Sequence, residues 1–202
     1  MTMIDALIAL ALFAFVSSVT PGPNNLMLLS SGTRFGFRRT IPHMLGVALG
    51  FVLMIVLVGL GLAQLFVLYP TVQMALRLVS VVYLLFLAWK IATAPPLAAD
   101  GGAASGKPMS FLQAAAFQWV NPKAWTMALT ALSAYMPPTD PWLGLVIVAS
   151  VFGLVNLPSV SAWAAIGMHL RRLLAEPAKQ RASNWVAAAL LVASLYPTVM
   201  AR

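Results

Sequence analysis

The chain has 202 residues, 61% of them hydrophobic and 8% charged, with a mean hydropathy of +0.92 and a formal net charge of +8. That composition leaves too little polar surface to cover a soluble globule, so it excludes a soluble domain and predicts membrane-spanning segments. The absence of cysteine excludes disulfides, thiolate metal sites and thiol redox relays.

Six apolar stretches approach the ~20 residues that a helix needs to cross ~30 Å of hydrocarbon. The first covers about 4–29, and Asp5, with no basic start and no small-residue cleavage site, marks it as a retained helix rather than a leader. It is interrupted by Thr20-Pro21-Gly22-Pro23-Asn24-Asn25. Pro21 and Pro23 lack backbone N–H groups and their rings clash with the preceding turn, so the helix must kink or break there. In hydrocarbon each unpaired backbone group costs several kcal/mol, so a break persists only inside protein or beside a water-filled cavity. The run Arg34-Phe35-Gly36-Phe37-Arg38-Arg39 is expected to close this stretch as a loop. A second stretch, 44–68, carries Gly46 and Gly50, four apart as close helix packing requires, and ends at a Tyr69-Pro70 turn. The third, 72–92, leads into 95–108, a linker-like segment rich in Ala, Gly and Ser. The fourth, 111–135, is interrupted in turn by Gln118-Trp119-Val120-Asn121-Pro122-Lys123. A stiff turn, Met136-Pro137-Pro138-Thr139-Asp140-Pro141, opens the fifth, 142–168, in which Asn156-Leu157-Pro158 predicts another interruption. A polar, basic stretch, 171–184, precedes the sixth, 185–200.

The fold class that follows is all-α: a polytopic membrane protein of six helices forming a single transporter domain over 1–202. Arg34, Arg38, Arg39, Lys90, Lys107, Arg171, Arg172, Lys179 and Arg181 fall in odd-numbered loops, against Arg77 and Arg202 in even loops and termini. This bias predicts odd loops in the cytoplasm and both termini outside. Trp89, Trp142, Trp163, Trp185 and Tyr69 lie near segment ends, where interfacial anchoring and simple packing are both open. A shift of 101 positions lays Val19-Thr20-Pro21 on Val120-Asn121-Pro122. Each triplet lies in the first helix of a three-helix half, about 1–94 and 108–202. Because three is odd, the halves insert in opposite directions, the inverted-repeat plan of many secondary transporters, with the first and fourth helices broken.

The chemistry of the breaks follows from helix ends. A half-helix begins with unpaired N–H groups carrying partial positive charge, which suits a carboxylate. Asn24 is expected to cap the half-helix through Asn25, Gly22 to allow close approach, and Asn121 to cap a helix with Pro122 at its first position. Lys123 is either a ligand for a substrate carboxylate or a lysine snorkelling to the interface. Gln118 either meets an amino group or satisfies a freed carbonyl. Asn156 either faces the same cavity or joins two helices. The carbonyls freed by Pro21, Pro23 and Pro122 are expected to receive the amino group. Ser17 and Ser18 are expected to bond backbone within their own helix, and His43 and His169 to sit at interfaces. The substrate-site set is therefore Thr20, Pro21, Gly22, Pro23, Asn24, Asn25, Gln118, Asn121, Pro122, Lys123 and Asn156.

Enzymatic readings fail on inventory. No activated Ser with a basic partner, no His-Glu-x-x-His helix and no Gly-rich phosphate loop is present. Asp5, Asp100, Asp140 and Glu176, the four acids, fall near ends or in loops. No catalytic residue, metal ligand or cofactor is therefore assigned. The basic residues have a topological explanation in loops, so nucleic acid is not expected as a partner. Membrane lipid is, and a homo-oligomer is compatible with the sequence.

Thr20-Pro21-Gly22-Pro23-Asn24-Asn25, Arg34-Phe35-Gly36-Phe37-Arg38-Arg39, Leu87-Ala88-Trp89-Lys90-Ile91-Ala92 and Asn121-Pro122-Lys123 together resemble the LysE/RhtB family of bacterial amino-acid exporters. Residues 87–95, Lys107-Pro108-Met109-Ser110-Phe111 and Thr130-Ala131-Leu132-Ser133 are most similar to its cysteine/O-acetylserine branch. The resemblance covers nearly the whole chain. It implies efflux of a small amino acid or derivative from the cytoplasm across the bacterial inner membrane, coupled to the proton gradient, by an antiporter-like secondary transporter. It does not identify the proton carrier; Asp5 is the least poor candidate, against plain surface exposure. Two alternatives are a non-transporting membrane subunit, whose breaks would be packed dry, and an exporter of another solute or ion. Lack of Asp, Glu, His or Cys at membrane depth argues against a metal cargo.

Overall fold

A computed structural model describes residues 3–95, 106–136, 140–174, 176–196 and 200, and these are helical with no strand among them. The greater part of the 95–108 linker with Asp100, the Pro137-Pro138-Thr139 turn, and Arg202 lie outside the described residues.

Helix α1, Met3–Val19, shows how an apolar sequence is divided between lipid and core. Leu10, Ala14 and Ser18 are buried, while Ile4, Ile8, Leu12 and Phe15 are exposed, so residues four apart share a face. The buried stripe lies against α7, Pro141–Leu173. Helix α2, Pro23–Leu57, is long only in name, because Gly36 inside it has φ 76° and ψ 171°. That backbone is accessible essentially to glycine alone, and it separates 23–35 from 37–57. The basic run 34–39 is therefore not an open loop: helix continues on both sides of a one-residue hinge. A π-helical stretch, Val58–Leu62, bends at Gly61 (φ 109°) into the short α3, Gln64–Leu68. Helix α4, Pro70–Ala92, follows directly.

The second half repeats the alternation. Helix α5, Phe111–Phe117, starts in a capping box of Ser110 and Gln113. A 3-10 turn, Gln118–Val120, separates it from α6, Pro122–Tyr135. The Asp140 side chain caps α7 by accepting from the Leu143 N–H at 3.0 Å. The interruption expected at Asn156-Leu157-Pro158 does not occur, since α7 runs unbroken through Pro158. Pro158 costs one hydrogen bond and a ring clash with the preceding turn, and α7 stays continuous there while packed against α1 and α2. Helix α8, Pro177–Ala193, begins well before 185, so much of the polar stretch 171–184 is helical.

The most extensive helix pair is α2 with α7. Its closeness rests on missing side chains: a Cβ at Gly32 would lie 2.1 Å from the Ala164 carbonyl oxygen, and one at Gly167 2.1 Å from that of Leu29. Gly46 and Gly50 bring α2 equally near Phe111 and Ala115 of α5. One apolar cluster joins α1, the second part of α2, α6 and α7 around Leu10, Phe51, Ala128 and Phe152, with Phe51 and Phe152 edge-to-face at 5.3 Å. Another joins the first part of α2 to α4 and α8 around Leu26, Leu84 and Leu191. The two helix breaks fall between these clusters.

Among the described residues, three helices are long and apolar enough to cross a membrane: Pro23–Leu62, Pro70–Ala92 and Pro141–Arg171. At one end of the molecule Arg34 donates to the Pro95 carbonyl at 3.0 Å, Arg39 to Gly106 at 3.5 Å and Asn184 to Ala94 at 3.2 Å. The hinge region 34–39, the start of the linker and the beginning of α8 are thus gathered on the same side.

Candidate functional site

The two breaks meet. Asn24 and Gln118 form a reciprocal amide pair, Nδ2 to Oε1 at 2.9 Å and Nε2 to Oδ1 at 3.2 Å. Lys123 reaches from the start of α6 to Thr20, its ammonium donating to the carbonyl at 2.7 Å and the hydroxyl at 2.9 Å, and to the Pro21 carbonyl at 3.4 Å. Gly22 makes this approach possible, since a Cβ there would fall 2.7 Å from Lys123 Cδ.

The start of α2 differs from expectation. Gly22, in extended backbone, is the N-cap and Pro23 is the first helical residue, with no side-chain cap. Asn24 therefore sits within the first turn and cannot cap it; its amide is given to Gln118 instead. The second break is capped as expected, Asn121 Oδ1 accepting from the Lys123 N–H at 3.1 Å ahead of Pro122. The half-helices after the two breaks both start with an N-cap followed by proline, Gly22-Pro23 and Asn121-Pro122.

Where do the carbonyls freed by two prolines go? Each buried polar group needs a partner, and here side chains supply them in order. Ser17 O accepts from Thr20 Oγ1 at 3.1 Å, Ser18 O from Asn25 Nδ2 at 2.7 Å, and Val19 O from Trp163 Nε1 at 3.1 Å. Thr20 O accepts from Asn25 at 2.8 Å as well as from Lys123, and Pro21 O from Lys123. In the second break Gln118 Nε2 donates to the Ala114 carbonyl at 2.8 Å, and Trp125 Nε1 to Trp119 O at 2.9 Å. In this conformation each of these carbonyls accepts at least one side-chain hydrogen bond.

The open groups are different. Asn156 is 5% exposed; its Nδ2 donates to Ser18 Oγ at 3.2 Å, while its Oδ1 is buried without a partner. An unpartnered buried acceptor costs on the order of 1–3 kcal/mol. The first turn of α2 has no side-chain cap, and its Asn24 and Asn25 line the same cavity as Asn156. Lys123 is matched by neutral oxygens only, none of them a carboxylate. Asn156 Oδ1, the uncapped first turn of α2 and a lysine held by neutral oxygens thus lie close together.

They converge on a cavity. Ser17, Ser18, Gly22, Asn24, Asn25, Asn121, Lys123 and Asn156 line a space of about 20 Å³ floored by Phe51, Met127 and Val160. That is room for about one water. On the other side of Lys123 and Gly22 lies a space of about 720 Å³, bounded by α4, α6, Phe66 and Ser194. Thr20 lines neither space, and reaches the site through Lys123. Gln118 likewise acts from behind Asn24.

Sequence reasoning missed several participants. Ser18 binds Asn156 rather than its own helix, whereas Ser17 does bond Phe13 O at 2.5 Å. Trp163 has no polar neighbour in sequence to betray its contact with the break. His43 is not interfacial: it is 1% exposed, and neither ring nitrogen has a partner. It lies at the hinge side of α2, next in the fold to the buried Ser31–Thr40 hydroxyl pair.

A family model described as LysE type translocator matches residues 15–194. The chain is similar to proteins named cysteine/O-acetylserine efflux protein. It is 37% identical over 182 residues to that of Salmonella typhimurium and 35% over 181 to that of Escherichia coli K12, spanning in each case 89% of this chain and 90% of the relative. No solved structure matches.

Proposed function

The chain belongs to the LysE-type translocator family, and from that premise we propose that it exports a small zwitterionic amino acid through a site between its two helix breaks. It is a translocator rather than an enzyme, a multi-pass protein of the bacterial inner membrane. Relatives named for cysteine and O-acetylserine make a neutral amino acid of that size the substrate class.

The observation that carries the site is the convergence of unmatched groups on one cavity. The substrate ammonium binds Asn156 Oδ1, and the carboxylate binds the N–H groups opening α2 together with Lys123. A zwitterion satisfies both ends at once; a metal ion would meet a lysine and no carboxylate. The amide pair Asn24–Gln118, the cap Asn121 and the prolines hold the two half-helices in register around it.

The six-span plan supports alternating access. In it α1 with 23–35 forms the first span, 37–68 the second and α4 the third, while α5 with α6, α7 and α8 form the inverted set. The gathering of 34–39, 95, 106 and 184 at one end agrees with a cytoplasmic side rich in Arg and Lys. The 720 Å³ space then opens outward and the 20 Å³ cavity is the closed inner site. An amino acid does not fit the latter, so loading requires the half-helices to separate. Export against a gradient would draw on protons, as the family resemblance implies.

Efflux from proteoliposomes loaded with labelled L-cysteine tests this reading. Lys123→Ala and Asn156→Leu should each lower the rate at least tenfold at normal expression and thermal stability. Parental rates in both would overturn the site.

A further inference from the structure

The geometry points to a second carboxylate station at Arg77, on the outer side of Lys123. This deepens the reading just given and rests on it. Gln73, Arg77 and Ser80 lie at i, i+4 and i+7 on α4 and all line the 720 Å³ space. Pro122, Lys123, Trp125, Thr126 and Leu129 of α6 form the facing wall, and Phe66 packs on Trp125 at 4.7 Å. Among the described residues, two cations and no acid therefore line one space of a size that ligand pockets have. Arg77, counted with the even loops in sequence, in fact lies inside α4 among Leu76, Leu78 and Val79, in a helix otherwise apolar enough to span a membrane. A charge in such a segment is expensive and faces a cavity as a rule. Ser80, 3% exposed, spends its hydroxyl on Leu76 O at 2.7 Å, which leaves the guanidinium as the charged anion-binding group of this wall, with the Gln73 amide one helical turn away. Arg77 has a partner of its own in this conformation, so an arriving carboxylate exchanges one contact for another.

The chemistry is a hand-over. A carboxylate released from the Lys123 ammonium enters a space whose next cation is a planar guanidinium suited to bidentate binding. The ligand class is an α-amino acid recognised by its carboxylate, whatever its side chain.

The test uses the full chain in phosphatidylcholine vesicles loaded with labelled L-cysteine, with unlabelled L-cysteine or L-cysteinamide added outside. In the parent, external L-cysteine should alter efflux at a lower concentration than the amide. Arg77→Gln should raise the half-effective L-cysteine concentration about tenfold, leave that of L-cysteinamide unchanged, and be only partly rescued by Arg77→Lys, which restores the charge but not the two-point fork. Equal responses of Arg77→Gln and parent overturn the station, as does an equal shift for both ligands, which a merely structural arginine would give. An effect of Arg77 seen only with phosphatidylglycerol in the bilayer overturns it too, in favour of a lipid headgroup. Equilibrium binding of labelled L-cysteine to the detergent-solubilised protein needs no transport. If vesicles release no cysteine but binding still requires a charge at 77, the export reading fails and the station stands; if binding ignores that charge, the station fails.

Discussion

At the scale of single residues the site is a set of partners chosen by backbone need. Lys123 is held by the Thr20 and Pro21 carbonyls at the break, and on the proposed reading its charge meets the substrate carboxylate. Lys123→Arg should retain part of the efflux that Lys123→Ala loses, because charge is kept while the reach changes. Gly22→Ala should also impair efflux, since its Cβ would force Lys123 aside, without altering the melting midpoint much: the atom it meets ends a flexible side chain. Thermal melts in detergent beside vesicle efflux separate the two effects. The amide pair offers a cleaner cycle. Asn24→Leu leaves the Gln118 amide, 0% exposed, without its side-chain partner, at a cost of about 1–3 kcal/mol. Adding Gln118→Leu should recover part of that stability, and a double-mutant cycle in melting midpoints checks it.

At the scale of elements, the helices are held by close contacts and hinged by glycine. Gly36 joins two helices in a conformation that other residues reach only at a cost of about 1–3 kcal/mol. Gly36→Ala should lower stability by that amount even though nothing surrounds the position within 4 Å. Gly32→Ala should cost about as much for the opposite reason: its conformation is ordinary, but the added methyl meets backbone of α7. Chemical denaturation in mixed micelles compares the two. The contrast was partly legible in sequence, where Gly46 and Gly50 show the four-residue spacing. Gly36 sits in a basic run that reads as a loop, because hydropathy registers charge and not the helical backbone beneath it. Pro158 reads as a break for a similar reason: the sequence reveals its missing N–H but not the packing that keeps α7 continuous.

At the scale of the molecule, the proposed six-span topology makes the small cavity the closed inner side and the large space across Lys123 the open outer one. The chain has no thiol, so single cysteines report access directly. Cysteine at Thr126 or Gln73, both on the large space, should react with an impermeant thiol reagent added from outside. Cysteine at Ser18, 3% exposed, should react far more slowly. The reverse order would show that the resting conformation opens inward.

The sequence by itself determined the solvent, the helical class, the two broken helices and the polar residues beside them. These follow from composition, hydropathy and the chemistry of proline, which act locally. Only the tertiary structure decided the partners. Whether Asn24 caps its helix or binds Gln118, whether Asn156 meets Ser18, and which of its amide atoms is left over depend on contacts between residues about a hundred positions apart or more. Hydrogen bonding across such separations leaves no period in the chain, so the neutral break apparent in sequence became a site with a defined acceptor, donor set and cation only when the halves were brought together.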